Sequence, residues 1–226
     1  GVFGTTIKLE KKFGSNRVFD TPCSENAITG VSIGASLNGN RSVVTHQRLD
    51  FFLLAMDQLV NSAAKWHYMF GSKNSVPITL RLIIGRGWGQ GPTHSQNLQS
   101  WFNHIPGLKV VAPTFADDAK NLLISSIFDP NPVIFLEHRW LHGLNNPLIS
   151  SDNNVKLGKA RLCNKGSDLT IISFSYLTFE ALTATRFLKK YYNINCDLID
   201  LRSIKPLDWK TIFKSVKKTG KVLALD

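Results

Sequence analysis

Six short runs of β-branched and aliphatic residues constrain this chain more than any other feature. They are VPITLRLIIG (76–85), LKVVAP (108–113), NPVIFLE (131–137), DLTIISF (168–174), CDLIDL (196–201) and KVLAL (221–225). Their apolar residues fall at successive positions rather than alternate ones, so such strands are buried on both faces, as in a parallel sheet covered by helices. Helical stretches separate them. Thr114 and Asp117 stand before AKNLLISSIF as an N-cap with an acidic first turn. Tyr176–Tyr192 and Asp208–Lys218 also read as helices. The repeated order strand, helix, strand predicts an α/β fold with parallel sheets.

DFFLLAMDQLVNSAAKW (50–66) confines its polar residues to one narrow stripe of Asp57, Gln58, Asn61, Ser62 and Lys65. A helix so apolar around its girth is either central in its own domain or covered by another subunit. LHGLNNPLISSDNN (141–154) is rich in Asn, Ser, Pro and Gly and reads as a linker. It divides the chain into a part over 1–145, a linker at 146–154 and a smaller part over 155–226. The last run, KVLALD, has no closing helix, so a free strand edge is expected there and the chain reads as a piece of something longer.

The balance of 27 Lys and Arg against 16 Asp and Glu gives a net charge of +11. The basic residues are scattered, with pairs at Lys11–Lys12, Lys189–Lys190 and Lys217–Lys218 and no arginine stripe interleaved with aromatics. A solvated basic surface is expected, not a nucleic-acid face. No run approaches the roughly 18 apolar residues of a membrane helix, and GVFGTTIKLEKKFG has no signal-like apolar core. Cys23, Cys163 and Cys196 are widely spaced, which implies neither a zinc site nor a disulfide framework. A reducing, cytoplasmic setting is expected.

Few residues have chemistry-bearing surroundings. Glu25 in FDTPCSENAITG follows an extended run that reads as the end of a strand, and small apolar residues follow it. Lodged there, a carboxyl has its pKa raised and can share a proton with a ring nitrogen; the structural alternative is a first-turn Glu facing the helix dipole. GRGWGQGPTHSQ (85–96) is a glycine-rich loop after the strongest strand. It is neither GxGxxG nor a phosphate-cradling loop, but it stands at a carboxyl end, where α/β ligands bind. It carries His94, a titratable group at that end or else a structural histidine. A hydrolase reading of His94 and Ser95 has no GxSxG elbow behind it. His138 and His142 lie four apart without HExxH order and read as structural. Asp129 and Asn131 in IFDPNPV are explained by turn chemistry, and their carbonyls are also able to ligate a hard monovalent cation.

The combination of FDTPCSENAITG, QRLDFFLLAMDQLVNSAAK, THSQNLQSWFNHIPGLKVVAPTFADDAKNLLISSIFDPNPVIFLE and the later GKARL…GSDLTIISFSY…DLIDLRSIKPLDWKTIFKSVKKT is more specific. In order and with little insertion, from Gly1 to Asp226, it resembles the beta subunit of the thiamine-diphosphate-dependent 2-oxoacid dehydrogenase decarboxylating component. Pyruvate, branched-chain and acetoin dehydrogenases belong to that family. The resemblance implies a pyrimidine-binding domain followed by a transketolase C-terminal domain, here incomplete, and a heterotetramer of two alpha and two beta subunits. The cofactor would lie between an alpha and a beta subunit, with magnesium and the diphosphate held by a GDG motif of the alpha subunit. No GDG occurs here. A second beta subunit and the lipoyl domain of an acyltransferase are the other implied partners, with no nucleic acid and no membrane.

Residue by residue, the resemblance makes Glu25 the carboxylate that bonds the aminopyrimidine nitrogen and so helps remove the thiazolium proton. Phe51 matches the aromatic that stacks on the pyrimidine, and Gln47 a position facing the cofactor pocket. His94 matches the histidine expected near the substrate and the incoming lipoyl group. Ser126, Asp129 and Asn131 match a loop that binds potassium in some relatives, largely through carbonyl oxygens. The chain departs from the family at Thr45 and His46, where an acidic and an apolar residue are usual, and at Arg86 and Trp88. His46 is a second titratable group near the pocket, and Arg86 suits a substrate carboxylate. Ketol transfer of the transketolase or deoxyxylulose-phosphate synthase kind, and a non-catalytic scaffold, are the alternatives.

Overall fold

The computed structural model describes residues 4–86, 89–145 and 155–226. The linker expected at 146–154 and the departure at Trp88 lie outside the described residues. In chain order the elements are α1 (Leu9–Phe13), α2 (Glu25–Leu37), β1 (Ser42–His46), α3 (Leu49–Phe52), α4 (Trp66–Met69), β2 (Ile78–Ile84), α5 (Gln99–His104), β3 (Lys109–Val111), α6 (Ala116–Phe128) and β4 (Val133–His138). They continue with β5 (Arg161–Asn164), β6 (Leu169–Ser173), α7 (Tyr176–Tyr192), β7 (Cys196–Asp200), β8 (Ser203–Lys205), α8 (Trp209–Thr219) and β9 (Val222–Ala224).

The first sheet has the order β1-β2-β4-β3-β8, and the second β5-β7-β6-β9. Strands β1 to β4 are mutually parallel, as are β6, β7 and β9; β5 and β8 run antiparallel to their neighbours. The doubly apolar runs account for this layering. Along β4, Ile134 and Leu136 join the large cluster of Leu49, Phe52, Leu59 and Phe102, whereas Val133 and Phe135 pack with Leu122 of α6. Alternate side chains of one strand thus enter two different helical layers. Arg81 of β2 interrupts the apolar run and is accommodated in the α6 layer by Glu137, which accepts from its Nε at 2.5 Å and its Nη2 at 2.9 Å.

Several expectations are corrected. No strand precedes Glu25 among the described residues; 14–24 is turn and irregular chain. KVLAL does form β9, but its residues are exposed at the sheet edge rather than buried. Thr114 does not cap α6. Phe115 stands at the cap position, and the Thr114 hydroxyl donates to the Ser175 carbonyl at 2.9 Å instead. The apolar helix over 50–66 is an interrupted run: α3, a 3-10 turn at Leu53–Ala55, a π-helical segment at Gln58–Ala63, then α4. Leu49, Phe52, Ala55, Leu59 and Ala63 face the core, and Leu54 is exposed.

The two sheets are joined tightly. Strand β8, from the later part of the sequence, extends the first sheet by pairing with β3. Arg161 Nη1 donates to Asp118 Oδ2 at 2.9 Å and to both Asp117 oxygens at 3.2 Å, and Arg202 Nη1 donates to Asp118 Oδ1 at 2.8 Å. The acidic first turn of α6 therefore faces two arginines of the second unit as well as its own helix dipole.

Candidate active site

The site lies where β1, β2 and β4 end. Helix α2 returns into β1 through a short turn, which sets its amino-terminal residue, Glu25, beside the last residue of β1, His46. Thr29, one turn into α2, has its hydroxyl 3.5 Å from His46 Nε2. His46 is buried and packs edge-on against Phe52, ring centres 4.9 Å apart. Burial pushes its pKa down to about 4, against the opposing charge of Glu25, so the imidazole is neutral at pH 7. Glu25 itself is half-buried, less dry than the sequence suggested.

The chain then turns into α3, whose Phe51 meets His94 edge-on at 5.1 Å. His94 ends a 3-10 turn, Pro92–His94, with Nδ1 3.1 Å from the Thr93 hydroxyl. Asp50 holds this loop in place: its Oδ1 accepts from Gln96 N–H at 3.3 Å and from Gln96 Nε2 at 2.9 Å. Arg48 is buried and donates to the Gly85 carbonyl at 3.3 Å and to Gln90 Oε1 at 2.6 Å. Gln47 is exposed at the mouth, as is Arg86. His138 closes β4. It stacks on Tyr176 at 4.8 Å, and its Nδ1 accepts from Trp140 N–H at 3.3 Å, which leaves the hydrogen on Nε2. Burial lowers its pKa to about 4, helped by the charges of His142 and Arg86.

Glu25, Gln47, Phe51 and His94 are thus gathered at one end of the sheet. Ser126, Asp129 and Asn131 lie at the other, roughly 20 Å away along β4 at about 3.3 Å per residue. Asp50 and Tyr176 were not singled out from the sequence. Asp50 carried a weak signal, standing next to Phe51, the HSQ loop's contact, whereas Tyr176 reaches the site through the second sheet.

The donor set fits the aminopyrimidine that the resemblance implies. A half-buried ring, Phe51, offers stacking. The Glu25 carboxylate, half-buried beside His46, is able to accept a hydrogen bond from a ligand. Asp50 Oδ2 is buried with no hydrogen-bond partner, an unmet acceptor of the kind a ligand amino group satisfies.

A model of the transketolase pyrimidine binding domain matches residues 1–143, and one of the transketolase C-terminal domain matches residues 158–226. The pyruvate dehydrogenase E1 component subunit beta of Rickettsia bellii is 43% identical over all of this chain and 69% of its own length. The mitochondrial pyruvate dehydrogenase E1 component subunit beta of Chaetomium thermophilum is also 43% identical, over 60% of its length. The acetoin:2,6-dichlorophenolindophenol oxidoreductase subunit beta of Cupriavidus necator is 40% identical over 66% of its length. Among solved structures, a split gene transketolase described as an inactive beta4 tetramer superposes with a TM-score of 0.82 over 98% of this chain and 69% of that one, at 21% identity. That likeness is one of fold.

Proposed function

This chain belongs to the family of beta subunits of thiamine-diphosphate-dependent 2-oxoacid dehydrogenases, and on that premise we propose that it holds the aminopyrimidine half of the cofactor site. The reaction is decarboxylation of a 2-oxo acid, with the acyl group passed to a lipoyl-bearing acyltransferase. One observation supports the reading above all. Glu25 lies beside His46 at the carboxyl end of β1, and Phe51, a few residues on, packs edge-on against His94; the three come from separate stretches of sequence. Residues 1–145 then act as the pyrimidine-binding unit and 155–226 as part of the C-terminal unit.

When bound, thiamine diphosphate supplies the electron sink that lets the carboxylate leave. The chain's own residues prepare for it. Glu25 would share a proton with the pyrimidine ring nitrogen. His46 beside it stays uncharged at pH 7, so it does not draw the Glu25 carboxylate into an ion pair. Phe51 would hold the ring by stacking, and the unpartnered Asp50 Oδ2 would accept from the amino group. His94, packed on Phe51, is held at the substrate side to give or take a proton. An alpha subunit with a GDG motif completes the site with magnesium and the diphosphate grip, and a second beta subunit completes the tetramer. Three unpaired cysteines suit a reducing compartment such as the cytoplasm.

Calorimetric titration tests the shared site. Thiamine diphosphate with magnesium is added to the intact subunit, to its alpha-type partner and to the two together. Saturable binding is expected only for the pair; no binding by the pair removes the proposal. The ketol-transfer alternative has the two transketolase domain models and a likeness of fold in its favour, whereas the relatives at 40–43% identity are dehydrogenase or oxidoreductase beta subunits. The scaffold alternative is separated by Glu25→Gln, which a scaffold tolerates without functional loss.

A further inference from the structure

At the end of the first sheet opposite the candidate site, the chain's own cations fill the loop after α6. A helix leaves its last carbonyls without intrahelical partners and carries partial negative charge at that end. In α6 the Ile127 carbonyl accepts from Arg41 Nη1 at 2.9 Å, and the Asp129 carbonyl lies 3.4 Å from the same nitrogen. The Arg41 guanidinium also lies over the Phe128 ring, 5.5 Å from its centre. The Ser126 carbonyl accepts from Asp129 N–H at 3.2 Å, and the Ser126 hydroxyl donates to the Leu122 carbonyl at 2.7 Å.

The Asp129 carboxylate is engaged as well. Its Oδ1 accepts from Asn131 N–H at 2.9 Å and from Asn131 Nδ2 at 2.8 Å, and its Oδ2 accepts from Lys109 Nζ at 2.5 Å. Ser126, Asp129 and Asn131 are the residues for which the resemblance implies a potassium loop. An oxygen-ligated cation needs several lone pairs converging on one void. Here they converge on a guanidinium and an ammonium. One carboxylate and one helix end already face two full positive charges, so a further cation would meet net repulsion.

We propose that Arg41 and Lys109 take the place of a potassium ion in this loop, so that the fold does not depend on potassium. Arg41 immediately precedes β1 and Lys109 opens β3, so the pair fastens two strands to the α6–β4 turn, the structural task an ion would perform. The proposal concerns folding at the far end of the sheet and stands or falls independently of the reaction proposed above.

Thermal unfolding of the intact subunit in potassium chloride and in tetramethylammonium chloride at equal ionic strength tests it. The expected result is the same Tm in both salts. A higher Tm in potassium overturns the proposal. Arg41→Met opens the Ile127 and Asp129 carbonyls and is expected to lower the Tm and make it respond to potassium. If Arg41→Met folds and remains indifferent to potassium, the claim that the arginine stands in for an ion is overturned. Arg41→Lys, which keeps the charge, is expected to stay indifferent and guards against a misfolded Met variant; a potassium response in it also counts against the proposal.

Discussion

Gly85 sits where β2 enters the site loop, at φ +113°, and a Cβ built there would lie 2.8 Å from His138 Nε2. His138 has little room to retreat, since it stacks on Tyr176 and its Nδ1 is engaged by the Trp140 amide. Gly85→Ala therefore combines backbone strain with a clash and is expected to cost about 1–3 kcal/mol. Urea unfolding checks this, and an unchanged midpoint would contradict the described loop. At this scale the site was half legible. Glu25, Phe51 and His94 could be named because their residue types stand in segments that match a family. The buried second oxygen of Asp50 could not, because its burial depends on how Gln96, 46 positions on, closes over it. The dryness expected of Glu25 was also overstated. The small residues after it line α2, but they do not cover its first turn.

The helical run from α3 to α4 shows what periodicity misses at the scale of an element. A period near 3.6 reads 50–66 as one helix, yet a 3-10 turn and a π-helical segment interrupt it. The π segment widens the turn locally, and its end abuts the loop before β3. There Gly107, at φ +87°, leaves no space for a Cβ, which would run into the Ala64 carbonyl oxygen. Gly107→Ala is expected to cost on the order of 3 kcal/mol, because backbone gives way less readily than a side chain. A thermal shift of less than a degree or so would be at odds with this packing. All six strands read as apolar runs are present, each a little shorter than its run. The strands missed are the short or polar ones. SVVTH of β1 alternates exposure at a sheet edge, and the three residues of β8 owe their conformation to pairing with β3, about 90 positions earlier in the chain. Thr114 failed as a cap for a similar reason: its hydroxyl has a distant carbonyl to serve.

Across the whole molecule, buried titratable groups set a pH dependence. His46 and His138 titrate near 4 in the fold against an ordinary 6.5. Between those values the unfolded chain binds the extra protons, so each histidine makes stability rise with pH, by about 3 kcal/mol apiece across the interval. Asp200, wholly buried at the joint of the two sheets, is pushed up to about 7 by burial, against the Thr114 hydroxyl and the Arg202 N–H. The neutral carboxyl adds stability that is fully present below 3.8 and lost as pH rises through 7. Between pH 4 and 6.5 two imidazoles outweigh one carboxyl. Net stability is therefore expected to rise with pH, by roughly one proton's worth of slope, and to peak near 6.5. Urea unfolding as a function of pH measures this; a flat or falling curve over that range would contradict the burial of the two histidines. The proposed function turns on Glu25, at the shared end of α2 and β1, working on a thiamine cofactor completed by another subunit. Its most direct test is carbon dioxide release from 2-oxo acids by the reconstituted alpha–beta assembly, comparing the natural chain with Glu25→Gln. The expected result is an intact assembly whose turnover falls by about 10²–10⁴-fold; undiminished turnover in the Gln variant rules out this role for Glu25.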